Sequence, residues 1–261
     1  MSSNGHPSFS AAFNSYSNPV SSMKTLKILL AVGSLLAAFQ SVSSAQVISA
    51  TGGRGQEWLT HYYQNPHPSQ LPLAVHQLSR EGYFESVGQP ATAIGFFAQV
   101  FAQNPQDVNY WLRETADLPD SHRRVLVAAA WLAGHPRGEA LLRQMVENSS
   151  WGTRAQIIDM LHHNPTPAAS TPVLSESSMN LQWGVFLASG SEQPILSVLA
   201  ALGSSETGLS TAARYSLAQN ASEHRRVLDI CRDQLSKQPD SVRSELRAAL
   251  NDAGLLARPG A

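Results

Sequence analysis

Charge is sparse in this chain and cysteine almost missing. Of 261 residues only 14% are Asp, Glu, Lys or Arg, and the one cysteine is Cys231. A single thiol closes no internal disulfide, so packing has to hold the chain together. Lys and Arg number 18 against 19 acidic residues, a formal charge of −1 that offers no basic footprint for nucleic acid. No apolar run reaches the roughly 20 residues needed to span a bilayer. Runs alternating polar with β-branched residues, the mark of half-buried strands, are missing too. So are G-x-S-x-G, the G-x-x-x-x-G-K-[ST] phosphate loop, H-E-x-x-H and paired C-x-x-C. The common hydrolase, nucleotide-binding, zinc-protease and redox classes lose their support, and no catalytic, cofactor or metal residue is assigned.

Near the start, Lys24 and Lys27 flank a twelve-residue apolar run from Ile28 to Phe39, followed by the small residues Ser43, Ser44 and Ala45. Positive flank, short core and small-residue exit define a secretory signal peptide. Residues 1–22 carry no Lys or Arg, so the expected translation start is Met23 and the expected mature start Gln46. Removing residues 1–45 costs two lysines and no acid, which takes the formal charge from −1 to −3. The expected location is periplasmic or secreted.

After Gln56, apolar residues recur every three or four positions and Gly or Pro punctuates them, which predicts an all-α fold of about eleven short antiparallel helices. Glycines 82, 134, 190, 203 and 254 and the Asn-Pro pairs at 65, 104 and 164 mark helix ends. The expected domains are a signal peptide at 1–45, a flexible junction at 46–55, a helical half at 56–163, a Pro-rich linker at 164–175, a second half at 176–254 and a tail at 255–261. Thr51 to Gly55 is glycine-rich but follows no strand, so it reads as part of the junction and not as a nucleotide cradle.

Short helices in hairpins build repeat arrays, and one internal echo supports that. His122-Arg123-Arg124-Val125-Leu126 returns as His224-Arg225-Arg226-Val227-Leu228, an offset of 102 residues. That is three times the roughly 34-residue tetratricopeptide period. Ala93, Phe97 and the closing Asn104-Pro105 resemble the second helix of a tetratricopeptide repeat. The first helix departs from that pattern, because Gly82 and Tyr83 are adjacent where the family spaces them three apart. Leu71 to Trp131 also resembles a group of exported bacterial proteins, a likeness that implies no catalytic residues.

Four features could carry chemistry. Asp159, His162 and His163 form the tightest polar cluster, with Asp159 and His163 one helical turn apart, a spacing that suits a metal or a substrate. The same residues close a helix before Asn164-Pro165, where the dipole favours histidine, and helix capping is the preferred reading. The arginine pairs at 123–124 and 225–226 read as solvated outer faces. Cys231 falls on an apolar face and reads as buried. Most aromatics lie at core spacing, while Phe96 and Tyr110 fall off the stripes and are the ones left for a ligand or partner.

The function expected on these grounds is an exported, non-enzymatic helical-repeat protein that binds another protein or a peptide. It needs no cofactor, nucleic acid or membrane-spanning segment. The alternative is a small helical hydrolase or metal-dependent enzyme working through Asp159, His162 and His163.

Overall fold

A computed structural model describes residues 53–148, 151–162 and 164–256; the expected leader, most of the expected junction and His163 lie outside them. Twelve α-helices and no strand occur among the described residues. In chain order they are α1 (Arg54–His61), α2 (Leu71–Arg80), α3 (Gln89–Gln103), α4 (Val108–Glu114), α5 (Asp120–Leu132), α6 (Pro136–Asn148), α7 (Trp151–Leu161), α8 (Glu176–Ser189), α9 (Gln193–Ala201), α10 (Thr207–Glu223), α11 (Arg225–Gln234) and α12 (Asp240–Asp252). None is long and apolar enough to cross a membrane.

The helix ends follow the local chemistry. Gly82, Gly134, Gly190 and Gly254 all adopt φ between 62° and 70°, a region that costs a residue with a Cβ. Pro90, Pro136 and Pro194 sit in first turns, where a missing N–H is no loss. Arg54 and Gly55, expected in the junction, open α1, and the Glu81 carboxylate accepts from the Gly55 and Gln56 amides at 2.9 and 3.1 Å. A carboxylate on a helix N-terminus satisfies donors that the helix itself cannot.

Two helices form the centre. In α3 every residue from Pro90 to Ala98 is buried, and in α8 every residue from Ser178 to Ala188 is buried. A helix covered on all sides carries no polar face, and α3 accordingly has no charged residue. These two pack against each other more extensively than any other pair. Glycines permit the close approach. A Cβ on Gly95 would stand 2.0 Å from the Leu181 carbonyl oxygen, and one on Gly184 would stand 1.9 Å from that of Thr92. Linear repeat arrays confine contact to neighbours, whereas α3 and α8 are separated by four intervening helices.

Around this pair the remaining helices close one continuous core. Phe96, expected to be left for a ligand, is fully buried and meets Trp58, Tyr62 and Phe97 edge-on at 5.1–5.4 Å. It falls off the amphipathic stripe because α3 has no solvent side between Pro90 and Ala98. Within residues 164–175, expected as a linker, the turn Ala168–Ser170 lies against α3 and α8. Ala168, Thr171 and Val173 are buried, and the Gln182 amide donates to the carbonyls of Ala168 and Thr171 at 2.8 and 2.6 Å. Ser178 and Ser175 then form a capping box that starts α8.

Cys231 is buried on α11, and burial pushes its thiol up to about 12. A thiol at that value holds almost no thiolate at pH 8, so the native protein should not react with a disulfide thiol reagent, while denaturant should release one reactive thiol. The unfolded chain's thiol ionises near pH 8.5. Because the folded value lies higher, this group's contribution to stability is complete below that pH and is lost as pH rises toward about 12. Urea titrations should therefore give a lower midpoint at pH 10.5 than at pH 7.5, and Cys231→Ala should reduce the difference.

Candidate arginine-rimmed cleft

Among the described residues, a cleft between α4, α5 and α6 gathers several binding groups. In α4, Val108 and Trp111 point inward, and Trp111 stacks on Phe101 at 5.6 Å. That anchoring turns Asn109, Tyr110 and Arg113 outward. Tyr110 is 47% exposed, with the Arg113 guanidinium 5.5 Å over its ring. The Thr115 hydroxyl donates to the Trp111 carbonyl at 2.9 Å and is used up closing the helix. Gly138 brings α6 close to the end of α5, since a Cβ there would lie 2.4 Å from the Trp131 amide nitrogen.

These constraints leave a cleft of about 380 Å³. Leu112 and Leu141 supply its accessible apolar surface over the buried Leu126 and Val127, and Arg113, Arg123 and Arg137 its charge; no acidic side chain lines it. Arg113 stands 3.7 Å from Glu114 and Arg123 3.2 Å from Asp120, all four side chains well exposed. Exposed pairs of this kind contribute about 0–1 kcal/mol, so the forks can exchange them for a ligand. Arg137 forms no ion pair with a described residue, although its backbone amide donates to His135 Nδ1 at 3.1 Å.

The two echoed segments fold alike. His122 and His224 are both buried, the arginines after them lie toward solvent, and Val125, Leu126, Val227 and Leu228 are buried. Arg123 pairs with Asp120 and Arg225 with Asp229 at 2.9 Å, while Arg226 reaches the Gly190 carbonyl. Asp120 is the first helical residue of α5 after Pro119, and its carboxylate engages Arg123. The helices that follow differ in their partners: α5 packs on α3 and α6, and α11 on α10.

His122 adds a geometry that the motif search did not reveal. Its Nδ1 lies 2.8 Å from the Ser79 hydroxyl and its Nε2 bonds the Glu85 carboxylate. Serine, histidine and carboxylate in a chain resemble a hydrolase relay. Ser79, however, lies in the last turn of α2, where carbonyls gather. The following amides of Glu81 and Gly82 already donate to the Gln77 and Ser79 carbonyls, so none is aimed where an oxyanion would form. The arrangement ties α2, the turn Tyr83–Glu85 and α5 together. No sequence signal links these three residues, which are 37 and 43 positions apart. The second histidine, His224, has the Tyr63 hydroxyl 3.4 Å from Nδ1 and the Phe186 ring beside it.

Asp159 and His162 lie exposed at the end of α7 beside two shallow depressions of about 250 and 300 Å³. The His162 amide donates to the carbonyls of Ile158 and Asp159, which places it in the closing turn. Among the described residues no group of three His, Cys, Asp or Glu side chains is arranged to hold a metal, and His163 is not described. No protein-family model, curated protein or solved structure matches the chain.

Proposed function

We propose that this is an exported, non-enzymatic helical protein that binds a protein or peptide partner, with the cleft between α4, α5 and α6 as its contact surface. The observation that carries the reading is the cleft itself, where three guanidiniums stand beside an apolar floor. Such a surface offers binding energy through apolar burial and forked hydrogen bonds. Neighbouring α5 and α6, and α6 and α7, pack in sequence order, so this side keeps the hairpin character of a tetratricopeptide-like array while α3 and α8 anchor it. Residues 1–45 supply the route to the periplasm or exterior.

The test is affinity capture in the native host with a tag after Ala261. Wild-type chain should recover one reproducible partner and carry Gln46 at its N-terminus. Leu141→Asp, which puts a charge on the apolar floor, should lose that partner without changing the melting temperature by more than a few degrees. Recovery unaffected by Leu141→Asp would remove the cleft from the reading, and an intact Met1 or Met23 terminus would remove export.

A further inference from the structure

The chemistry of the cleft specifies its ligand further, on the basis that it is the contact surface. Each of the three helices contributes one arginine with one or two apolar residues close by: Leu112 and Arg113 from α4, Arg123 with Leu126 and Val127 from α5, and Arg137 with Leu141 one turn on from α6. Each of the three helices therefore brings both charge and apolar surface to one opening. We propose that the cleft takes an acidic peptide segment, seating one of its apolar side chains on Leu112 and Leu141 and a neighbouring carboxylate against Arg113, Arg123 and Arg137.

Four observations converge on that occupant. No acidic side chain lines the cleft, and an incoming carboxylate has only the exposed Glu114 and Asp120 to displace from Arg113 and Arg123. A guanidinium fork matches a carboxylate in two parallel hydrogen bonds and sheds its hydration more easily than an ammonium. The volume of about 380 Å³ is at the small end of the roughly 300–1,000 Å³ that ligand pockets occupy, which fits a few side chains. Tyr110, held beside Arg113, extends the rim with an exposed ring on which the next residue of a peptide can lie. The formal charge of −1 draws no anion from a distance, so recognition is set by the cleft and not by the field of the whole protein.

The test uses full-length protein and fluorescein-labelled hexapeptides of alternating leucine and glutamate, or leucine and glutamine, read by fluorescence anisotropy. The Leu/Glu peptide should bind at least tenfold tighter than the Leu/Gln peptide. Arg137→Glu should weaken the Leu/Glu peptide at least tenfold while leaving the helical circular dichroism and melting curve unchanged, and Arg137→Lys should recover part of the loss. Equal binding of the two peptides, or no effect of Arg137→Glu, overturns the proposal. Binding of inorganic phosphate or dodecanoate in titration calorimetry, with no binding of either peptide, overturns it in favour of a small anion. If Leu141→Asp abolishes partner capture while the two peptides bind equally, the contact surface stands and the acidic ligand falls. If Leu141→Asp spares capture, the surface itself is wrong.

Discussion

Gly184→Ala is expected to destabilise the protein by about 3 kcal/mol, near the upper end of what one misplaced methyl costs in a packed interior. In a helix interior alanine ordinarily gains about 1 kcal/mol over glycine, so the sign of the result decides between propensity and packing. Packing should win. The new Cβ would meet the Thr92 carbonyl oxygen at 1.9 Å and the Phe96 amide nitrogen at 2.6 Å, and both belong to backbone that cannot swing aside. Gly95→Ala should behave alike, because its Cβ would meet Leu181 backbone from the opposite helix. Thermal unfolding followed by circular dichroism should show each variant melting about 6–12 °C lower. A variant as stable as wild type would mean that α3 and α8 are not in this contact.

Trp183→Ala should cost about 4 kcal/mol, the usual loss when a large buried aromatic is removed and the space only partly collapses. The side chain is fully buried on α8, meets Phe186 edge-on at 6.2 Å, and donates its indole N–H to the Ser216 hydroxyl on α10. Trp183→Phe keeps most of the bulk and removes the donor with the smaller ring of the indole, so its cost should fall to about 1–2 kcal/mol. Urea unfolding of the two variants separates ring packing from the hydrogen bond. Equal losses would show that the bond to Ser216, and not the ring, dominates.

Helix ends were the most legible part of the sequence, because glycine and proline act on the backbone where they stand. The glycines at 82, 134, 190 and 254 stop helices by taking positive φ, which requires no partner elsewhere. One helix went unread. Along α10 the buried residues Leu209, Ala212, Ala213, Ser216, Leu217, Asn220 and Ala221 follow perfect three-and-four spacing, but the stripe is written mostly in Ala, Ser and Asn. Those side chains suit close approach to α12 and α11 and give almost no hydrophobic signal.

Long-range pairing was illegible for a different reason. Gly95 and Gly184 each look like an ordinary weak point in a helix, and only the other's helix explains why nothing larger fits. The same limit applies to Tyr110 and Phe96. Both fall off their stripes, but a stripe separates core from surface only in a helix that has a surface. Tyr110 lies on a helix with a wet side and is exposed; Phe96 lies on one without and is buried. The cleft was legible only as separate arginines and leucines. Its shape depends on Gly138 letting α6 approach α5, a contact that local patterning does not encode.

The pairing of α3 with α8 also sets a timetable for folding. Residues 104–175 must be made before α8 begins, so the face of α3 that α8 covers leaves the ribosome without its partner, although α5 covers another face earlier. Closing a loop of that length slows folding more than it weakens the final state. The N-terminal part is thus sticky until the chain is nearly finished, and a truncation before Glu176 should aggregate where the whole chain stays in solution. The contact that closes the centre of the core is assembled late, after the four helices between its two partners have already been made.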